Sequence, residues 1–138
     1  MKAIGLDTCV VLRLLVGEPA EQANIALEYI KKCYFNNMTV FVSDIVTAEV
    51  YHAIYYHYEV PRKDAVKILL NFISSPMITP TGHALTVLTE YRGTGAGLID
   101  RLIRMDLLDH AHEIVTFDKN FAKLPNVFIL KKYTRPAL

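Results

Sequence analysis

The sequence KAIGLDTCVVLRLLVG, residues 2–17, contains a short apolar run, an aspartate and a longer apolar run that ends at a glycine. Lys2–Leu6 has the length and composition of a buried strand, and Thr8–Val16 is long enough for a helix that stops at Gly17. A strand that leads directly into a helix begins a β-α-β unit. This stretch therefore predicts an α/β protein.

The same alternation of strand and helix continues along the chain. A segment of helix formers from Glu18 to Tyr34 precedes a second strand at Thr39–Val42. The other expected elements are helices from Ser43 or Asp44 to about Tyr58, Pro61 to about Ser74, Gly82 to Tyr91 and Leu98 to about Leu108, and strands at Met77–Thr79, Glu113–Phe117 and Val127–Leu130. Alternating short strands and helices predict a parallel sheet flanked by helices.

Composition and charge limit the class of protein. The chain has 138 residues, of which 52% are hydrophobic and 21% are charged, and its formal net charge is +1. This length fits a single domain over residues 1–138, and the composition is that of a globular rather than a disordered chain. Because so small a net charge produces no overall positive field, any nucleic acid must bind to a local patch.

The cysteines and the apolar amino-terminal stretch indicate the compartment. Cys9 and Cys33 both lie in apolar segments and form no disulfide framework, so we expect two buried, reduced thiols. The stretch Cys9–Gly17 is short and contains Arg13, and it lacks the length of a signal peptide or a membrane span. We therefore expect a cytoplasmic protein with no membrane partner.

Two of the expected strands end in an aspartate. Asp7 follows the first strand, and Asp118 follows the run IVTF at residues 114–117. Ligands of open α/β sheets bind outside the carboxyl ends of the strands, where these two carboxylates could face one crevice. The alternative for each is an ordinary turn residue or helix cap.

Two further carboxylates lie on expected helices. We expect Glu49 at the edge of an apolar stripe, flanked by Ile45 and Tyr56, where a carboxylate either meets a partner or extends into solvent. The stripe itself is expected to consist of Val46, Val50, Ala53 and His57. Asp100 lies in the first turn of its helix, where the ordinary alternative is an ion pair with Arg104, four residues on.

Four carboxylates in one crevice would repel one another and require divalent cations. Oxygen ligands suit Mg²⁺ or Mn²⁺ rather than Zn²⁺. Such metal ions lower the pKa of an attacking water and neutralise the charge of a phosphodiester in its transition state. The acidic set is therefore typical of phosphoryl chemistry that uses no side-chain nucleophile.

The order of these motifs resembles that of the PIN-domain nucleases. The segments that carry the resemblance are Asp7-Thr8, Ala48–Val50, Leu98–Asp100 and Thr116–Phe121. The similarity extends over essentially the whole chain, and within the family it is closest to the small VapC-type toxins of toxin–antitoxin pairs. The resemblance implies a PIN-like three-layer fold with a short central parallel sheet flanked by helices.

The resemblance also implies an activity and a set of site residues. It implies an endoribonuclease that depends on Mg²⁺ or Mn²⁺, acts on RNA, associates with an antitoxin protein and forms a homodimer. The catalytic acids and metal ligands would be Asp7, Glu49, Asp100 and Asp118. Thr116 would correspond to the hydroxyl residue that orients a site carboxylate or a water molecule.

Four positions depart from the pattern of the family and keep other functions open. They are Cys9, Gly97, Arg101 and Asn120, none of which is one of the four acids. One alternative is an RNA-processing PIN nuclease without an antitoxin. The other is a catalytically silent PIN-like binding module.

Basic and aromatic residues near the acids suggest how RNA would be held. Lys119, Arg13 and Arg101 are the candidate phosphate contacts, and Lys119 is the strongest of the three. Four tyrosines crowd one expected helix, namely Tyr51, Tyr55, Tyr56 and Tyr58. We expect these tyrosines to serve packing and self-association rather than base stacking.

Overall fold

A computed structural model describes residues 2–131 of the chain. The polypeptide forms two compact units, which meet in the sequence between Arg92 and Gly93. Both units contain parallel strands with helices beside them, so the predicted α/β class is confirmed. The single domain over residues 1–138 stays a prediction.

The first unit contains a parallel sheet of three short strands in the order β1-β2-β3. The strands are β1 (Ala3–Gly5), β2 (Thr39–Val42) and β3 (Thr79–Pro80). Ala3 lies opposite Thr39, and Phe41 lies opposite Thr79. Because all three strands are parallel, the segments that follow them leave the sheet at the same edge.

Helices connect these strands and bury the apolar residues of the unit. They are α1 (Thr8–Val16), α2 (Ala20–Phe35), α3 (Asp44–His52), a π-helical turn (Ala53–His57), α4 (Arg62–Ile73) and α5 (Ala84–Glu90). Helix α1 ends at Gly17, whose φ of 79° is a left-handed conformation that glycine adopts without strain. The most deeply buried apolar side chains of the unit include Val11, Cys33, Val50, Leu69, Leu88 and Tyr91.

The buried face of α3 and the π-helical turn differs from the predicted stripe. The buried residues are Thr47, Val50, Tyr51 and Ile54, which are spaced as one face of a helix. Of the predicted stripe, Val50 is buried and Val46 and Ala53 are half-buried, but the prediction for His57 was wrong because its side chain is exposed. The tyrosines divide in the same way, since Tyr51 is 6% exposed, whereas Tyr56 and Tyr58 are 65% and 49% exposed.

Asp44 links the start of α3 to the start of α5. Its carboxylate accepts hydrogen bonds from the backbone N–H groups of His83 at 2.9 Å and Ala84 at 3.1 Å. These N–H groups lie at the amino-terminal end of a helix and have no partner within that helix. The residue before them is Gly82, where a Cβ atom would overlap the Asp44 carboxylate.

The second unit contains one α-helix and two strands within its described part. They are α6 (Leu98–Leu108), β4 (Ile114–Thr116) and β5 (Val127–Ile129), with a 3₁₀ turn at Phe121–Lys123. The strands are parallel, with Ile114 opposite Val127. These two side chains bury Phe121 together with Leu108, Ala122 and Leu124. This packing holds the segment after β4 against its own small core.

The structure tests the expected burial of the two cysteines and the expected absence of a membrane-spanning helix. Cys33 is buried as predicted, but the prediction for Cys9 was wrong because its side chain is exposed. Within residues 2–131, no helix has the combination of length and apolar character that crossing a bilayer requires.

Candidate active-site carboxylates

Asp7 follows β1 and caps α1. Its Oδ1 accepts a hydrogen bond from the backbone N–H of Val10 at 3.1 Å, which is the bond of an N-cap residue. The side chain is exposed. Because a carboxylate has two oxygens and several lone pairs, the cap fixes the orientation of Asp7 without using all of its acceptor capacity.

Glu49 is exposed on α3 and meets a hydroxyl group. Oγ1 of Thr8 donates a hydrogen bond of 2.8 Å to Oε1 of Glu49. The two alternatives from the sequence therefore combine, since Glu49 extends into solvent and also has a partner. The sequence analysis named Thr8 as part of the Asp7-Thr8 motif but gave its hydroxyl no role. Through Thr8, the structure connects the segment of Asp7 to Glu49.

Asp100 is half-buried in the first turn of α6. Burial raises the pKa of this carboxyl group, and the negative charge of Asp118 raises it further. Within residues 2–131 the ion pair of Asp100 with Arg104 is not formed, and Nε of Arg104 donates to the backbone carbonyl of Pro125 at 2.7 Å. Asp100 therefore has an acidic neighbour where the sequence suggested a basic one.

Asp118 is fixed by a turn at the end of β4. Its Oδ1 accepts hydrogen bonds from the backbone N–H of Asn120 at 2.8 Å and of Phe121 at 3.3 Å. Its own N–H donates to Oγ1 of Thr116 at 3.0 Å. The hydroxyl of Thr116 thus holds the backbone of Asp118, while the turn holds the carboxylate.

The donor chemistry of these residues fits a hard divalent cation. Asp100 and Asp118 are both carboxylates of the second unit, and their repulsion is the kind that a cation relieves. All four candidate ligands offer oxygen atoms, which Mg²⁺ and Mn²⁺ prefer. Among residues 2–131, however, no group of three or more His, Cys, Asp or Glu side chains is close enough to hold a metal ion.

The three candidate phosphate contacts differ in how much they are engaged. Nε of Arg13 donates to Oε1 of Gln22 at 2.7 Å, and Nε of Arg101 donates to the carbonyl of Ala96 at 2.8 Å. Lys119 is exposed and directly follows Asp118. Two of the cations therefore serve the local fold with at least one nitrogen each.

Comparison with known protein families identifies the fold. The model of the PIN domain matches residues 4–127, a range that includes all four candidate acids and Thr116. Comparison with the curated proteins gave no significant match. PIN domains are generally metal-dependent nucleases. The match covers most of the 138 residues, and the chain belongs to the PIN-domain family.

Proposed function

We propose that this PIN domain is an endoribonuclease that depends on Mg²⁺ or Mn²⁺. The proposed metal ligands and catalytic acids are Asp7, Glu49, Asp100 and Asp118. The observation that carries the proposal is the half-buried Asp100, whose pKa is raised by burial and by Asp118 in a protein that belongs to a nuclease family. A carboxylate in such surroundings is stabilised by a bound cation.

The described contacts suggest a role for each residue. When bound, the metal lowers the pKa of the attacking water and neutralises the charge of the phosphodiester in the transition state. Thr8 orients the carboxylate of Glu49, and the cap at Val10 orients that of Asp7. The turn at residues 118–121 and the hydroxyl of Thr116 hold Asp118.

Cations would bind the phosphates of the RNA. We propose Lys119 as the main contact because it is exposed and adjacent to Asp118. Arg13 and Arg101 would be secondary contacts, because each already uses Nε in a hydrogen bond within the protein. Contacts of this kind position the strand without reading its sequence.

The proposed biological setting is a type II toxin–antitoxin pair in the cytoplasm. The motif order that resembles VapC-type toxins supports this setting, in which the partners would be a cognate antitoxin and a second copy of the chain. The test is expression in a bacterial host, where wild type should arrest growth and Asp118→Asn should not. If the product of an adjacent gene relieves the growth arrest, that product is the antitoxin. If wild type causes no growth arrest, an RNA-processing nuclease is favoured.

Cleavage is tested with purified proteins and two kinds of RNA. Wild type, Asp118→Asn and the control Asp106→Asn, an exposed carboxylate on α6, are incubated with total RNA and a defined tRNA. We expect discrete cuts by wild type and the control in Mn²⁺ or Mg²⁺, and none by Asp118→Asn or in EDTA. If wild type neither cuts RNA nor binds Mn²⁺ in a calorimetric titration, the proposal is wrong and the silent binding module replaces it.

A further inference from the structure

Three aromatic rings form a cluster on the exposed side of the helix that carries Glu49. The rings of His52 and Tyr56 are parallel within 9°, with centroids 5.3 Å apart. The ring of His57 meets both edge-on, with centroids at 6.1 Å from His52 and 5.5 Å from Tyr56. Tyr56 is 65% exposed. We call His52, Tyr56 and His57 the ring stack.

The backbone that carries these rings includes a π-helical turn, Ala53–His57. The N–H of Tyr58 donates to the carbonyl of Ala53 at 3.2 Å, five residues back, which defines a π rather than an α turn. Short π-helical segments occur frequently at functional sites. On the opposite side of the helix, Tyr51 and Ile54 are buried and fix the element in the first unit. The rings are therefore presented to solvent by an anchored backbone.

The ring stack continues the face of Glu49. His52 is three residues after Glu49, a spacing that keeps residues on one face of an α-helix, and the ring of Tyr56 lies against that of His52. All three side chains are exposed. At the rise of a helix, seven residues correspond to about 10 Å. A strand of RNA bound at Glu49 spans such a distance with one or two nucleotides.

The chemistry of the rings suits an unpaired base. Single-stranded RNA is commonly recognised by stacking its bases on Tyr and His rings, and stacking accepts any base because every base has a π face. The surface also includes a proposed metal ligand, so its occupant has to leave Glu49 accessible to a phosphate. An RNA strand meets this condition because its phosphate would lie at Glu49 while a neighbouring base lies at the ring stack.

We propose that the ring stack binds one base of single-stranded RNA, with the exposed ring of Tyr56 as the stacking surface and His57 as its brace. This inference rests on the proposed function, because it assumes that RNA is the substrate. It adds a binding subsite for a nucleobase, which neither the acidic residues nor the phosphate contacts supply. For the exposed Tyr56 it replaces the expectation from the sequence, which was packing and self-association rather than base stacking.

The test measures RNA binding without cleavage. In EDTA, fluorescence anisotropy follows a labelled single-stranded RNA of ten nucleotides and mixed sequence, and a series in which one nucleotide at a time lacks its base. The variants are Tyr56→Ala and His52→Ala, with Tyr56→Phe to retain the ring. The matched control is Tyr58→Ala, which removes another exposed tyrosine just beyond the π-helical turn.

We expect Tyr56→Ala to lose RNA affinity, and we expect this loss to depend on the presence of one particular base. Loss of a stacking ring weakens binding of the intact RNA by about 5- to 20-fold in Tyr56→Ala, while Tyr56→Phe and Tyr58→Ala bind as wild type. At one position of the series, removal of the base weakens wild type but leaves Tyr56→Ala unchanged. Such non-additivity shows that ring and base interact. Circular dichroism confirms that each variant is folded.

Several results would overturn the inference. These are the absence of RNA binding, equal affinities of wild type and Tyr56→Ala, or an effect of Tyr56→Ala that is the same for every abasic RNA. A further contradicting result would come from light scattering. If Tyr56→Ala converts a dimer to a monomer and leaves the RNA affinity unchanged, the ring stack serves self-association instead. If RNA affinity depends jointly on Tyr56 and one base but the protein cuts no RNA, only the nuclease function is contradicted. Cleavage by Tyr56→Ala at the rate and affinity of wild type contradicts only the ring stack.

Discussion

The hydroxyl of Thr8 donates a 2.8 Å hydrogen bond to Oε1 of Glu49, across 41 residues of sequence. Thr8 is the first residue of α1 and directly follows Asp7, whose carboxylate caps the same helix. The bond therefore fixes one candidate metal ligand relative to the segment that carries another. Hydrogen bonds that hold ligating carboxylates in place contribute strongly to metal affinity.

Removal of the Thr8 hydroxyl should weaken metal binding. In Thr8→Val the side chain keeps its shape but loses the donor, and we expect an affinity for Mn²⁺ about 10- to 100-fold lower. Thr8→Ser keeps the hydroxyl and should restore most of the affinity. Isothermal titration calorimetry measures both, with Thr89→Val as the control because that hydroxyl donates to the backbone carbonyl of Leu85 in its own helix. Wild-type affinity in Thr8→Val would show that the bond is incidental.

Neutralising Asp118 should stabilise the metal-free protein while removing activity. Asn can still accept the hydrogen bonds from Asn120 and Phe121, but it no longer repels Asp100. We expect Tm in EDTA to rise by about 1–4 °C, as for a stabilisation of less than 1 kcal/mol.

The substitution Asp7→Asn should preserve the N-cap of α1, because Asn caps a helix as well as Asp does. In the proposed acidic site it also removes one of the mutually repelling charges. It should likewise raise Tm in EDTA and remove activity. Differential scanning calorimetry on both variants provides the measurement. A lower Tm for both would contradict a clustered acidic site.

The raised pKa of Asp100 predicts how stability depends on pH. The folded state binds this proton more tightly than the unfolded state, so Asp100 lowers stability as pH rises from the ordinary value of 3.8 through the raised pKa. Asp100→Asn has no such titration. In EDTA, the difference in the free energy of unfolding between Asp100→Asn and wild type should grow in favour of Asp100→Asn over this pH range. At higher pH this difference should stay constant. Urea unfolding at successive pH values measures the difference, and a difference independent of pH would refute the assignment.

Gly82 is required by the carboxylate of Asp44. A methyl group at residue 82 displaces that carboxylate and frees the N–H groups of His83 and Ala84, so Gly82→Ala should lose about 1–3 kcal/mol of stability. Gly5→Ala is the control, because nothing lies within 4 Å of its added Cβ.

Chemical denaturation should also show that the effect of Gly82→Ala depends on Asp44. In the Asp44→Ala background the carboxylate is already gone, so Gly82→Ala should cost little more. Equal losses in both backgrounds would mean that Gly82 acts through another contact.

Local signals in the sequence were enough to locate several elements. The predicted bounds of α1, β2 and α6 agree with the structure. For α1 and β2 the signals are local, because Gly17 ends the helix and the asparagines at positions 36 and 37 precede the strand. The strand after Pro76 was predicted at Met77–Thr79 but lies at Thr79–Pro80. So short a strand exists only through its pairing with Phe41 and Val42 of β2, and a propensity does not contain that register.

The sequence by itself determined the α/β class, the order of the acidic motifs and the resemblance to PIN-domain nucleases, because these depend on local patterns and on residue identity. The tertiary structure decided which side chains lie close to one another. The bond from Thr8 to Glu49 and the repulsion between Asp100 and Asp118 join separate segments, and the rotation of α3 decides which residues face solvent. Such contacts depend on how helices and strands pack against each other, and no local preference along the chain specifies that packing.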